Sequence, residues 1–202
     1  MEQLNQTLKF WTVQRKSVVE KVLNEGVFIP DFMQSPLVKE NPDLYVLYNF
    51  ILKCFNKNNG TDATGLVFTF MKMINHDIYF FKDILDFETG IVLNKDKIFA
   101  LWNNFNKEDY VILELEITNP YNPILIEINN FQYLMPPFME FMPPYKPGDD
   151  RIIMSWLVNG TIGQGYWPDS LAQAHLPYIR KEDIKGIYEF KTFKELEEEI
   201  NL

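Results

Sequence analysis

The chain has 202 residues, of which 47% are hydrophobic and 15% aromatic; this suffices for the core of a globular domain and excludes a disordered chain. Its formal net charge of -9 opposes electrostatic capture of nucleic acid or of an anionic membrane surface, so we expect neither as a partner. The single cysteine, Cys54, and the two histidines, His76 and His175, give no zinc spacing, so we expect no metal.

The apolar runs and the N-terminal residues bear on where the protein resides. Charged residues or prolines break the apolar runs well before the roughly 18 residues that a membrane helix needs. The opening stretch, MEQLNQTLKF, lacks the basic start and the apolar core of a signal peptide. We therefore expect a cytoplasmic protein.

The first predicted element is a strand over residues 8–14, LKFWTVQ, because apolar and polar side chains alternate there. The alternation places Thr12 and Gln14 on one face and Trp11 on the other. Two interpretations of this strand remain open. In the first, the two polar side chains hydrogen-bond to a neighbouring strand; in the second, they contact a ligand.

A helix is predicted directly after this strand. Ser17 and Glu20 have the spacing of a capping box, in which each side chain bonds to a backbone amide at the start of the helix. Gly26 suits the left-handed residue that commonly ends a helix. We interpret the following residues, 27–36, as a loop.

The central part of the chain contains several segments with clear periodicity. Apolar residues recur at helical spacing from Pro42 to Lys57. The clearest strand pattern is YVILELEI, residues 110–117. The other predicted elements here are strands at 66–73 and 124–131 and a short helix at 94–105, capped by Asn94.

A proline-rich segment follows at residues 135–148. Its five prolines exclude regular secondary structure. Its Phe and Met residues are too apolar for a solvated linker, so we interpret it as an ordered loop or lid. Residues 150–158, DRIIMSWLV, then predict a helix behind an acidic start.

The last segments complete the predicted fold. Strands are predicted at 171–179 and 185–190, and Thr192 and Glu195 again have capping-box spacing at the start of a terminal helix. Strands and helices mix without regular alternation. We therefore predict a single α+β domain over residues 1–202, with a mainly antiparallel sheet framed by helices.

Two glutamates lie on the clearest strand. Glu114 and Glu116 are two residues apart and therefore point the same way. They are candidates for an acid and a base with separated pKa values. Alternatively, they form the solvent-exposed face of a strand whose Val111, Leu113 and Leu115 face the core.

Gln173 and His175 alternate on the predicted strand at 171–179, so both side chains are expected on one face. A single histidine in a strand is usually a hydrogen-bonded structural residue. Next to Gln173, however, it is also a candidate for ligand contact. The sequence contains no Gly-x-Ser-x-Gly nucleophile elbow, so hydrolase chemistry lacks a candidate nucleophile.

The two ends of the chain resemble those of a bacterial domain family of unknown function. The matching stretches are FWTVQ with VVEKVLNEGVF, and RIIMSWLV with AQAHLPYIRKEDIKGI. Members of that family open on a Trp-Thr-x-Gln strand and close on a Gln-Ala strand. The central VILELEI is also similar to that family's central strand. The resemblance covers about half of the chain and implies no particular activity.

The layout of strand, helix and Glu25-Gly26 also resembles that of ADP-ribosyltransferase-like domains. The resemblance implies an NAD cofactor, with Thr12 and Gln14 at positions that contact NAD and Gln173 at the position of the catalytic glutamate. A glutamine carries no charge to stabilise the cation that develops as nicotinamide leaves. Glu116 or Glu114 would then supply the carboxylate.

Two functions follow as expectations. The first is a domain that binds a nucleotide or another small molecule and catalyses a variant form of ADP-ribosyl transfer. Its catalytic residues would be Gln173 and Glu116, and its cofactor-binding residues would be Thr12, Gln14 and His175. This function requires a cleft between the first strand and the strand at 171–176. The second is a non-catalytic interaction or inhibitory factor of a bacterium or a mobile element, which binds another protein through its acidic surface and through 135–148.

Overall fold

The structure is a computed structural model, and its helices and strands form a mixed α+β fold. It describes residues 7–35, 38–39, 42–74, 77–118, 120–121, 125–128 and 170–200, so the lid predicted at 135–148 and the helix predicted at 150–158 lie outside the described residues. The strands are β1 (Thr7–Arg15), β2 (Val27–Phe28), β3 (Val67–Ile74), β4 (Asp77–Tyr79), β5 (Tyr110–Thr118), β6 (Leu125–Glu127), β7 (Ser170–Leu176), β8 (Ile179–Arg180) and β9 (Ile184–Glu189). The α-helices are α1 (Lys16–Glu25), α2 (Pro42–Asn59), α3 (Ile84–Leu93), α4 (Lys95–Trp102) and α5 (Phe193–Ile200), and Phe32–Gln34 and Lys181–Asp183 form 3-10 turns.

The main sheet has the strand order β6-β7-β3-β1-β5-β9, with β4 paired to the end of β3. Every pairing in it is antiparallel. The two-residue strands β2 and β8 form a separate small antiparallel pair. The prediction of an α+β fold with a mainly antiparallel sheet is therefore confirmed.

The sheet separates two layers of core. On the face that carries Trp11, here the Trp11 face, helices α3, α4 and α5 pack around that indole, and Phe87 stacks on it with ring centroids 5.2 Å apart. On the opposite face, here the Thr12 face, α1 packs Val19 and Val22 against Phe10 of β1. Strict alternation along β1 thus assigns its buried side chains to one of the two faces in turn.

Helix α1 differs from the prediction at its start and agrees with it at its end. β1 continues to Arg15, and the helix begins at Lys16 without a capping bond from the side chain of Arg15. Ser17 lies inside the first turn, so the predicted capping box is wrong. Gly26 has φ 88° and its amide donates to the carbonyl of Val22, which confirms the left-handed end.

Helix α3 was not among the predicted elements, and its apolar residues lack a clean helical stripe. The side chain of Asp83 accepts a hydrogen bond from the amide of Asp86, which is the local signal for its start. Asn94 ends α3, since its side-chain amide donates to the carbonyl of Gly90, and it does not provide the predicted side-chain cap of α4. The segment 27–36, predicted as a loop, contains β2 and a 3-10 turn.

The terminal helix α5 confirms its predicted capping box. The carboxylate of Glu195 accepts hydrogen bonds from the amide and the hydroxyl of Thr192. It also pairs with Lys107, while Glu197 pairs with Lys95 of α4 at 2.6 Å. Because the hydrogen bond from Lys107 and those from Thr192 favour the charged carboxylate, the pKa of Glu195 falls from 4.5 to about 2.

We expect the stabilisation from Glu195 to depend on pH. A pKa that is lower in the folded state stabilises the fold above about pH 4.5, and this contribution disappears as the pH falls toward 2. Urea unfolding of Glu195→Gln should therefore show a deficit at pH 7 that narrows at pH 3. Glu198→Gln is the control, because its carboxylate is exposed and lies 3.9 Å from Lys194. A Glu195→Gln deficit that is equal at both pH values would contradict the assignment.

Candidate functional site

Thr12 and Gln14 lie together on the Thr12 face, but they form an internal hydrogen-bond chain. Thr12 is fully buried, and its hydroxyl donates to the carbonyl of Phe68 on β3 at 2.7 Å. The amide Nε2 of Gln14 donates to the hydroxyl oxygen of Thr12 at 2.9 Å. Thr12 therefore ties β1 to its neighbour, as the first of the two interpretations of this strand expects, while Gln14 bonds to Thr12 on the same strand.

Gln173 and His175 share the other face of the sheet, as predicted from their alternation. Gln173 is 4% exposed, and His175 is fully buried with its ring edge against Phe68 at a centroid distance of 4.9 Å. The oxygen Oε1 of Gln173 has no hydrogen-bond partner in the described part of the chain. Neither side chain is accessible to a ligand in this arrangement.

The cleft predicted between β1 and β7 does not form, because β3 lies between them. Trp11 pairs with Phe70 of β3, and Phe70 pairs in turn with Gln173, so these three side chains share the Trp11 face. Thr12 and Gln14 point to the opposite face. The prediction that they join Gln173 and His175 in one site is therefore wrong for the described residues.

Glu116 is also separated from Gln173. It lies on β5 opposite Lys9 of β1, and β1 and β3 both stand between it and β7. Three strand intervals of roughly 4.8 Å put about 14 Å between the two backbones. The pairing of Glu116 with Gln173 in one catalytic centre is therefore wrong as well. NAD binding itself stays a prediction.

Glu114 lies at the centre of a cluster of polar contacts that the sequence did not indicate. It lies on the Trp11 face and is only 9% exposed, so it does not belong to a solvent-exposed strand face. Its carboxylate pairs with Nζ of Lys9 at 2.9 Å and accepts a hydrogen bond from the hydroxyl of Tyr188 at 2.9 Å. Two donors from two neighbouring strands thus hold this carboxylate at the centre of β1, β5 and β9.

Gly186 makes the contact between Tyr188 and Glu114 possible. It lies directly opposite Glu114 on β9, and the pairing of the two strands shifts by one residue immediately afterwards. A Cβ at position 186 would lie 2.5 Å from Cε2 of Tyr188, so the ring occupies the space that a side chain would need. Burial, followed by the hydrogen bond to Glu114, raises the pKa of Tyr188. The phenol is therefore a hydrogen-bond donor at neutral pH, and the cluster joins strands rather than forming an accessible acid and base.

A polar cavity of about 370 Å³ lies at the start of α1. Arg15 and Lys16 line it, but Arg15 donates to the hydroxyl of Tyr110, and Nζ of Lys16 donates to the carbonyl of Lys107. Glu108 and other residues contribute the remaining wall. Since its cations already bind internal acceptors and a carboxylate stands beside them, the cavity does not favour a phosphate.

Comparison with protein-family models, with curated proteins and with solved structures finds no match for this chain. Within the described residues, no group of three or more His, Cys, Asp and Glu side chains is arranged to hold a metal ion. The helices of the same residues include none with the length and apolar character needed to cross a membrane.

We expect Thr12→Val to destabilise the fold. Valine keeps the shape but removes the hydroxyl that donates to Phe68 and accepts from Gln14, which should cost about 1–3 kcal/mol. Thr7→Val is the matched control, because the hydroxyl of Thr7 bonds to Thr118 at an exposed position, and we expect a change within about 0.5 kcal/mol. Equal losses in urea unfolding would contradict a structural role for Thr12.

We also expect Gly186→Ala and Tyr188→Phe to be coupled. Tyr188→Phe alone should cost about 1 kcal/mol, because Glu114 loses one donor. In the Gly186→Ala background the ring is already displaced, so the same change should cost almost nothing. Urea unfolding of the four proteins measures the coupling. Tyr110→Phe, which removes the acceptor of Arg15, should cost the same in both backgrounds; an uncoupled Tyr188 would contradict the contact.

Proposed function

We propose that this chain is a non-catalytic protein-interaction domain that binds its partner by adding a strand along the outer edge of β9. The observation that carries the proposal is the position of β9 at the end of the sheet. Within the described residues β9 pairs with β5 alone, and none of their strands occupies its other edge, which is where an incoming strand would add.

The composition of β9 supports this use of the edge. Natural proteins discourage strand addition with prolines, charged side chains, β-bulges, very short edge strands or a covering element, and β9 has its one register shift near its start, before Gly186. β9 spans six residues, Ile184–Glu189, without a proline. Ile187, near its middle, is 46% exposed, which gives an incoming strand an apolar contact beside the main-chain hydrogen bonds.

The contacts of the polar side chains that the sequence suggested for catalysis favour a binding function over a catalytic one. Thr12 bonds to the backbone of β3 and accepts from Gln14 of its own strand, and Glu114 bonds to Lys9 and Tyr188. Three of these four contacts join neighbouring strands of the sheet. Their arrangement accounts for a rigid sheet that presents β9 as a fixed template.

The acidic terminal helix is a poorer candidate for the binding surface. Glu195, Glu197 and Glu199 each pair with a lysine from another part of the chain. Lys191, the partner of Glu199, also pairs with the buried Glu88 of α3. These carboxylates hold α5 on the domain. The edge of β9 is therefore the interaction surface that we favour.

The test is to identify a partner and to measure whether it covers β9. The wild-type protein is used to capture partners from cells that produce it, and each retained protein is purified and its binding to the wild type and to Ile187→Lys is measured. Hydrogen exchange is then measured on the reconstituted complex. We expect slower exchange of the β9 amides on binding, because an added strand would supply their missing acceptors.

Lys194→Glu serves as the control, since it replaces one charged residue with another at an exposed position on α5. It should leave capture unchanged. A purified partner that binds Ile187→Lys as well as the wild type, and leaves exchange in β9 unaltered, would overturn the proposal.

A further inference from the structure

The end of α2 is closed by hydrogen bonds that surround the pair Asn59-Gly60. The side chain of Asn56 accepts from the hydroxyl of Thr61 at 2.8 Å and from the amide of Ala63 at 3.0 Å, and it donates to the carbonyl of Ala63 at 2.9 Å. The amide of Thr61 also donates to the backbone carbonyl of Asn56 at 3.1 Å. These contacts, here the Asn56 clamp, tie the helix to the residues that follow Gly60.

Asn59 is the last residue of α2, and Gly60 forms the turn that follows it. The amide Nδ2 of Asn59 donates to the carbonyl of Phe55, one turn earlier, at 2.9 Å. Gly60 is exposed and has the left-handed φ of 62°. A Cβ at position 60 would meet no atom within 4 Å, so this side of the residue borders open space.

We propose that Asn59-Gly60 is a site of spontaneous deamidation and that the Asn56 clamp controls its rate. The backbone nitrogen of Gly60 gives its proton to solvent and attacks Cγ of Asn59. The bond from Cγ to Nδ2 breaks, and the leaving nitrogen takes a proton from water and departs as ammonia. Water then opens the resulting five-membered succinimide at one of its two carbonyls, which leaves aspartate or isoaspartate. A following glycine favours the attack, because it has no Cβ to obstruct the approach of its nitrogen.

The folded conformation slows this reaction. Side chains on a helix lean toward its N-terminus, and the hydrogen bond to Phe55 holds the side chain of Asn59 in that direction, away from the nitrogen of Gly60. The attack therefore requires the last turn of α2 to open. Helix ends open more readily than helix centres, but the Asn56 clamp opposes opening because residues 61–63 must detach as well.

Deamidation weakens the end of α2 irreversibly. The carboxylate of the product cannot donate to the carbonyl of Phe55, and its charge lies at the negative end of the helix dipole. Isoaspartate also carries the backbone through the former side chain, which lengthens the main chain at the turn. Ile51 and Phe55 of α2 are fully buried in the core, so a looser helix end adjoins packed residues.

Peptide mapping by mass spectrometry tests the site. The wild type, Asn56→Ala and Asn59→Gln are incubated for several weeks at mildly alkaline pH, folded and in urea. We expect aspartate and isoaspartate at position 59 of the folded wild type, formed several-fold faster in Asn56→Ala and fastest in urea. Asn59→Gln should not convert at this position, because glutamine would have to close a larger ring. The mapping distinguishes this pair from the second Asn-Gly pair, at 159–160, which lies outside the described residues.

Thr12→Val is the matched control for the clamp. It removes a hydrogen bond from the sheet and leaves the end of α2 unchanged, so we expect position 59 to convert at the rate of the wild type. A separate measurement tests the consequence. Asn59→Asp should unfold at a lower urea concentration than Asn58→Asp, which adds the same charge to the same turn at an exposed position.

Two outcomes would overturn the inference. If position 59 converts in urea but stays unchanged in both the folded wild type and folded Asn56→Ala, the folded protein excludes the reaction and the site is wrong. If the wild type converts as fast when folded as in urea, or no faster in Asn56→Ala than in the wild type, the clamp does not control the rate.

Discussion

The pairing of β1 with β5 determines the arrangement of almost everything else in the sheet. The two strands pair residue by residue from Thr7 opposite Thr118 to Arg15 opposite Tyr110. Such a long register leaves each side chain of β1 only one possible face. Trp11 therefore enters the core beneath α3, while Thr12 faces α1, and no local adjustment can bring the two to the same side.

This constraint explains why the sequence predicted elements better than a site. The strand over 8–14 and the left-handed end at Gly26 depend on residues that are close together in the chain, and both were predicted. The alternation of Gln173 and His175 was also predicted correctly. What the sequence could not provide was the strand order, because the insertion of β3 between β1 and β7 depends on contacts between distant residues.

Glu114 illustrates the same limit at the level of a single side chain. Its place in an alternating strand suggested either solvent exposure or acid–base chemistry. Its burial is tolerated because Lys9 and Tyr188 supply donors, and Tyr188 reaches it only because position 186 has no side chain. The pattern Gly-x-Tyr in β9 is the signal for this contact, but it has meaning only once β9 is known to pair with β5.

The cluster around Glu114 also gives β9 two different sides. On the Trp11 face, Tyr188 folds back toward β5 and closes the end of the sheet over the buried carboxylate. On the Thr12 face, Ile187 stays exposed opposite Leu113 of β5. The strand is thus held firmly to β5, and no other strand of the described residues pairs with it.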